Sequence, residues 1–333
     1  MFGRSPNNSL HDLLHRPRLS SWERFWRAPV VFLAQKLYLW RLNQISDDKP
    51  QAANAVSVVC ISDTHNNQPQ LPVGDILIHA GDLTQSGTFE ELQAALNWIQ
   101  SQSHPHKIVI AGNHDVLLDS TLDQGKSSST TTPQASNATL RARLNWGDII
   151  YLENTSTTIQ VTISSPDHPS GDTITTNNTT SRTLKIFGSP HSPKQGNWAF
   201  QYPRSHNIWK DMPIPPDTDI LITHCPPRCH LDLLSLGCIH LLKELWRVRP
   251  RLHVFGHIHA GYGVERVWFD RLQGAYERAV IAGGGVWNLV EVVRELVLGS
   301  LGRKTQGGTL LVNAAVVGGL RDEERQRAVK VWI

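Results

Sequence analysis

Five short apolar runs in this chain each end on a cluster of Asp, His or Asn, and that recurrence constrains the fold more than any other feature. Residues 56–61 lead into Ser62-Asp63-Thr64-His65-Asn66, and residues 76–78 lead into Ala80-Gly81-Asp82. Ile108-Val109-Ile110 precedes Gly112-Asn113-His114-Asp115, Ile220-Leu221-Ile222 precedes Thr223-His224, and Val254-Phe255 precedes Gly256-His257-Ile258-His259. Continuous β-branched runs read as strands buried on both faces. Helical spacing at 89–100 and 231–248 places helices between them. Together these predict an α/β layered domain whose polar residues gather at the C-terminal ends of its strands.

The residue types define a chemistry. Asp63 and His65, two apart at one strand end, point to one side, and Asp82 on the next strand can bridge two cations with its carboxylate. Asn113 offers an amide oxygen, and His224, His257 and His259 offer imidazole nitrogen. Mixed nitrogen and oxygen ligation without thiolate suits two divalent ions of manganese, iron or zinc better than calcium. A single His at a strand end is usually a hydrogen-bonded structural residue, so the expectation rests on all five loops together. Two such ions about 3.5–4 Å apart generate a bridging hydroxide and clamp phosphoryl oxygens. The expected reaction is hydrolysis of a phosphate ester, with His114 as general acid and Asp115 orienting its imidazole.

Composition narrows the partners. At 333 residues with a net charge of +3, the chain is large enough for a sizeable core and too weakly charged to indicate a nucleic-acid partner. Four cysteines do not make a disulfide scaffold, and no secretory leader pattern opens the chain, so a cytoplasmic location is expected. Residues 1–54 read as an N-terminal extension with linker, and 55–333 as the main domain. In the extension, Ser20 and Glu23 form a capping box, and Pro29 opens a second helix. The aromatic and apolar segment 22–42 has three possible placements: against the protein's own core, in peripheral contact with a membrane interface, or across a bilayer. Docking on the core is the simplest. Polar stretches near 119–139 and 164–182 read as surface loops. An insertion near 267–308 carries Val286, Leu289, Val290, Val293, Leu296 and Val297 at helical spacing, which predicts a helix burying that face.

The five blocks, in this order, resemble the calcineurin-like metallophosphoesterase superfamily. The resemblance implies a four-layer αββα sandwich, one metal held by Asp63, His65, Asp82 and His259, and a second held by Asp82, Asn113, His224 and His257. It places His114 on the family's catalytic histidine. Ser62-Asp63-Thr64-His65-Asn66, Gly188-Ser189-Pro190, Asn197-Trp198-Ala199-Phe200, Thr223-His224-Cys225-Pro226-Pro227 and the run 253–263 are similar to the metallophosphoesterase-domain-containing proteins related to fetal brain protein 239. That similarity implies a phosphodiesterase with some action on cyclic nucleotides. It also leaves open a catalytically weak nucleotide- or protein-binding module on the same scaffold. The protein Ser/Thr phosphatase branch fits less well, since Asp82 is followed by Leu83-Thr84-Gln85-Ser86-Gly87 without that branch's arginine. His191 and Arg204 are further candidates for substrate contact.

Overall fold

The computed structural model describes residues 20–44, 55–125, 136–164, 179–299, 307–318 and 324–333. The linker expected at 46–54 and much of the two polar stretches lie outside these residues. The chain forms two compact units: Asp47–Phe269 with Thr305–Val316 and Gln326–Ile333, and Met1–Ser46 with Asp270–Lys304 and Val317–Arg325.

The larger unit is built on two sheets. Strands β1 (Ser57–Ile61), β2 (Ile76–Ala80), β3 (His106–Ile110) and β4 (Ile149–Tyr151) run parallel, and all but the short β4 are nearly continuously buried, as their unbroken apolar sequence requires. The second sheet contains β5 (Thr155–Ser164), β6 (Thr179–Ser189), β7 (Ile220–Thr223), β8 (Leu252–Phe255), β9 (Gly263–Val267) and β10 (Thr309–Asn313), in the order β9-β10-β8-β7-β6-β5. A last strand, β11 (Val329–Trp332), closes the first sheet antiparallel to β1.

Three apolar layers fix the architecture. Between the sheets, Val58, Cys60, Ile78 and Ile110 pack with Ile186, Ile220, Val254 and Val312. The outer face of the first sheet, through Val59, Leu77 and Val109, packs on Leu92, Leu96 and Ile99 of a helix at Phe89–Gln100, which starts at a Thr88–Glu91 capping box. The outer face of the second sheet, through Leu221, Phe255 and Leu311, packs on Leu241, Leu245 and Val248 of a helix at Ile239–Val248. Helix, sheet, sheet, helix is the αββα sandwich that the family resemblance implies.

Two expectations change here. The helix expected at 231–248 begins only at Ile239, because the Asp232 carboxylate captures the amides of Leu234 at 2.8 Å and Gly237 at 2.9 Å and turns the chain back. Part of the low-complexity stretch near 164–182 is strand: Thr179–Ser189 pairs antiparallel with Thr155–Ser164.

The smaller unit is helical. In chain order the seven α-helices of the described residues are α1 (Ser21–Arg27), α2 (Pro29–Gln44), α3 (Phe89–Gln100), α4 (Asn137–Arg143), α5 (Ile239–Val248), α6 (Arg271–Ile281) and α7 (Val286–Gly299). Ser20 caps α1 in the expected box with Glu23. Val31, Ala34 and Tyr38 form the buried face of α2, which packs on α6 and α7, and the rings of Tyr38 and Tyr276 stack with centroids 4.2 Å apart. Of the face expected to be buried on α7, Leu289 and Leu296 are half-buried, Val286, Val290, Val293 and Val297 are exposed, and Val292 and Glu295 take the buried side.

Candidate metal centre

Every predicted ligand loop leaves the C-terminal end of a parallel strand in the larger unit: Asp63 and His65 after β1, Asp82 after β2, Asn113 after β3, His224 after β7, His257 and His259 after β8. The two sheets are joined at this end, where the Ser62 amide donates to Ala314 and the Val316 amide to Ser62, at 2.9 and 2.8 Å. The six predicted Asp and His ligands, together with His114, fall into overlapping groups whose ligand atoms lie within 4.8 Å of one another: Asp63, His65 and His259; His65, Asp82 and His114; Asp82, His224 and His257. The Asn113 amide oxygen joins the last group, 3.0 Å from His224 Nε2.

Individual contacts orient these groups. The His224 Nδ1–H donates to the Ala80 carbonyl at 3.0 Å, which turns Nε2 toward Asp82 Oδ2 at 3.3 Å. A ligating imidazole fixed through its other nitrogen by a carbonyl is the usual way a protein sets tautomer and ring angle. Asp82 Oδ1 accepts the His114 amide at 2.7 Å, leaving Oδ2 between His224 and His65, the latter's Nε2 at 3.9 Å. Both Asp63 oxygens lie 3.0 Å from the His257 amide, and Oδ1 lies 3.2 Å from His259 Nε2.

The site fits divalent cations on its own evidence. Both ring nitrogens of His65 are buried without a hydrogen-bond partner among the described residues, a costly arrangement that a metal on the unprotonated nitrogen would relieve in part. Burial drives the Asp63 pKa upward, but hydrogen bonding and charge from His259, with His224 and His65, hold it well below the usual carboxylate range. Asp82, equally buried, is likewise held low by His224. Burial lowers the His224 pKa, yet Asp82 and Asp63 raise it to about 9 overall. Burial depresses His257 to about 4. Two ionised carboxylates among crowded imidazoles make a donor set for cations of the zinc, manganese or iron type. Asp63, His65, Asp82 and His257 also adopt left-handed backbone, with φ of 51°, 42°, 53° and 63°. Such conformations cost on the order of 1 kcal/mol each and concentrate at functional sites.

His114 and Asp115 part company. The His114 Nδ1–H donates to the Gln85 carbonyl at 2.8 Å, and its ring stacks on Trp198 with centroids 4.2 Å apart. Asp115 does not orient that ring. Its carboxylate accepts the amides of Gly112, Leu83 and Thr84 at 2.8, 3.2 and 3.0 Å and the Thr84 hydroxyl at 2.8 Å, tying the third ligand loop to the second. His191 is engaged by Asn154 and the Phe200 carbonyl, and the exposed Arg204 donates to the Leu236 carbonyl.

Sequence reading assigned no role to Gln85, Trp198, His79 or His253. Trp198 stood inside the Asn197-Trp198-Ala199-Phe200 motif, which was the only available signal. His79 and His253 form a repeated device. The Thr64 hydroxyl meets His79 Nε2 at 2.9 Å beside one ligand loop, and the Thr223 hydroxyl meets His253 Nε2 at 2.8 Å beside the other.

Comparison with known proteins agrees with this geometry. Residues 56–261 match the family model described as calcineurin-like phosphoesterase. The chain is 34% identical over 245 residues to the human metallophosphoesterase domain-containing protein 1, covering 69% of this chain and 68% of that protein. It is 32% identical over 276 residues to UPF0046 protein T07D4.2 of Caenorhabditis elegans, covering 77% of this chain and 62% of that one. It is also 44% identical over 330 residues to a protein of Emericella nidulans named probable rhamnogalacturonate lyase C, covering 97% of this chain. The chain spans only 29% of that protein's length.

Proposed function

We infer the reaction from one premise: this chain belongs to the calcineurin-like phosphoesterase family, among its metallophosphoesterase-domain-containing members. The function proposed is metal-dependent hydrolysis of a small phosphodiester, cyclic nucleotides included, at a centre for two divalent cations. The observation that carries it is the chain of overlapping donor groups in which Asp82 and His65 each belong to two, with Asp82 Oδ2 lying between His224 and His65. Cations bound there would lower the pKa of a coordinated water and neutralise phosphoryl oxygen charge.

The protein's own groups supply the rest. Asp63, His65, Asp82 and His259 would hold one cation, and Asp82, Asn113, His224 and His257 the other. Gln85 holds Nδ1 of His114, which leaves Nε2 to carry a proton to the departing alkoxide. Diester preference is supported by the neutral segment Leu83-Thr84-Gln85-Ser86-Gly87 after Asp82, which brings no cationic side chain to grip a dianionic monoester. Four free, buried cysteines support a cytoplasmic setting.

The test is hydrolysis of bis-para-nitrophenyl phosphate and para-nitrophenyl phosphate by manganese-loaded protein, with a cyclic-nucleotide panel beside them. Asp82→Asn and His257→Ala should each abolish most diester turnover, and unchanged rates in both would sink the proposal. Bound metal at the expected stoichiometry with no turnover of any ester would favour a binding module instead.

A further inference from the structure

We propose that the helical unit containing α1, α2, α6 and α7 docks on an anionic phospholipid surface, lying in the interface. The proposal stands on this unit alone and is independent of the reaction assigned to the larger one.

Scattered exposed apolar residues are ordinary, but a contiguous stripe is not. On α7, Val286, Val290, Val293 and Val297 follow a four-three-four spacing that puts them on one face, and all four are exposed. Trp287 beside them is 84% exposed. On α1, Trp22 and Trp26 are one turn apart and 67% and 65% exposed, and on α2 Leu33 and Trp40 lie opposite the buried Val31, Ala34 and Tyr38. Gly284, two residues before α7, lies against Val30 near the start of α2, so the two helices of this unit approach each other at that end. Tryptophan at such a density suits the boundary between headgroups and acyl chains, where an indole has both an apolar and a hydrogen-bonding environment.

Charge selects the occupant. Between residues 20 and 44 the chain carries Arg24, Arg27, Lys36 and Arg41 against Glu23 alone, and Glu23 is held in the Ser20 capping box. The acids of the insertion do not cancel this excess. Across 270–299, Arg271, Arg278 and Arg294 stand against Asp270, Glu277, Glu291 and Glu295, a net charge of −1 that leaves +2 when added to the +3 of residues 20–44. A second copy docking through the same face would bring these cations against their own equivalents. A bilayer rich in phosphatidylserine would meet them with opposite charge. No described helix is long and apolar enough to cross a membrane, which matches a helix pair resting on the surface.

The experiment is flotation of the full chain with vesicles of phosphatidylcholine alone or with phosphatidylserine, at low and high salt. Binding is expected only with phosphatidylserine, weakening as salt rises. The pair Trp22→Ala/Trp26→Ala and the pair Val290→Asp/Val293→Asp should each lower partitioning about tenfold, and Arg27→Gln/Lys36→Gln/Arg41→Gln should abolish its dependence on phosphatidylserine. These positions are exposed or half-buried, and unchanged melting curves establish that each variant folds. Absence of wild-type binding, equal binding to both vesicle types, or binding that survives all three variants would each overturn the proposal. So would a wild-type dimer that Val290→Asp/Val293→Asp converts to monomer while vesicle binding is absent.

Discussion

Nδ1 of His114 lies 2.8 Å from the main-chain carbonyl of Gln85, so the backbone, and not the neighbouring Asp115, sets the tautomer of the imidazole proposed to protonate the leaving group. Replacing His114 by Ala should slow hydrolysis of alkyl phosphodiesters by about 10²–10³-fold. A para-nitrophenyl diester should suffer less, because its leaving oxygen needs little proton donation. Metal content should be unchanged in both comparisons. Burial, with the charge of Asp82, pushes Asp115 up to about 6, so its worth lies in the donors it receives from two ligand loops. Asp115→Asn, which turns an amide toward those donors, should cost about 1–3 kcal/mol in denaturant unfolding while leaving the acidic limb of the pH–rate profile in place.

The paired threonine–histidine contacts make stability fall on mild acidification. Thr64 can donate to the Leu83 carbonyl and Thr223 to the Cys225 carbonyl, so each hydroxyl receives Nε2–H from its histidine. The remaining Nδ1 of His79 and of His253 is buried with no partner. Burial holds both rings neutral, with each pKa lowered to about 3. The unfolded chain binds protons below about 6.5, whereas these native rings bind them only near 3, so their contribution is complete above pH 6.5 and is lost as pH falls toward 3. At pH 5 the loss is on the order of 2 kcal/mol per ring. His253→Gln, which keeps a donor for Thr223 but cannot titrate, should flatten the decline between pH 7 and pH 5 by about that amount in urea unfolding.

How legible the molecule is depends on how local the cause is. The ligand loops follow directly from residues at the ends of apolar runs, and the helix at Phe89–Gln100 is announced by its own Thr88–Glu91 box. Periodicity on α7 identified an apolar stripe but carried no information about which side has a neighbour, and Val292 and Glu295 take that side. Two of the partners of Asp115, Leu83 and Thr84, lie more than thirty residues away, so nothing in the run 113–115 distinguishes orienting a histidine from joining two loops. Asp232 similarly redirects a stretch whose leucine spacing reads as helix, placing Leu231, Leu233 and Leu234 at positive φ.

Gly256 is required by the approach of a ligand and not by its backbone angles. A Cβ at this position would stand 1.9 Å from Asp63 Oδ2 and 2.2 Å from Ser62 Oγ. Neither neighbour can retreat, because Asp63 is fixed by the His257 amide and Ser62 joins the two sheets. Gly256→Ala should therefore displace Asp63. Metal analysis of purified protein should show at least one cation lost per chain, with a melting temperature below that of the metal-loaded wild type by several degrees.

Trp198 covers one face of His114 and is still 41% exposed, at a position anchored by the Ala199 amide on the Asn113 carbonyl at 3.1 Å. An indole beside the imidazole proposed as general acid can do two things: hold that ring, or stack on a planar leaving group as it departs. Stacking of a nucleobase on an aromatic side chain contributes about 1–3 kcal/mol. If the indole takes part in substrate binding, Trp198→Ala should raise KM for aryl and nucleotide diesters about tenfold or more. KM for a small alkyl diester should then be little changed, and Trp198→Phe should recover much of the loss. If it serves only to steady His114, the alanine variant should lower kcat for the alkyl diester with KM constant, the same pattern expected of His114→Ala. Steady-state kinetics of the two variants on the two ester classes separates these outcomes, and the exposure of Trp198 beside the His114 imidazole favours the first.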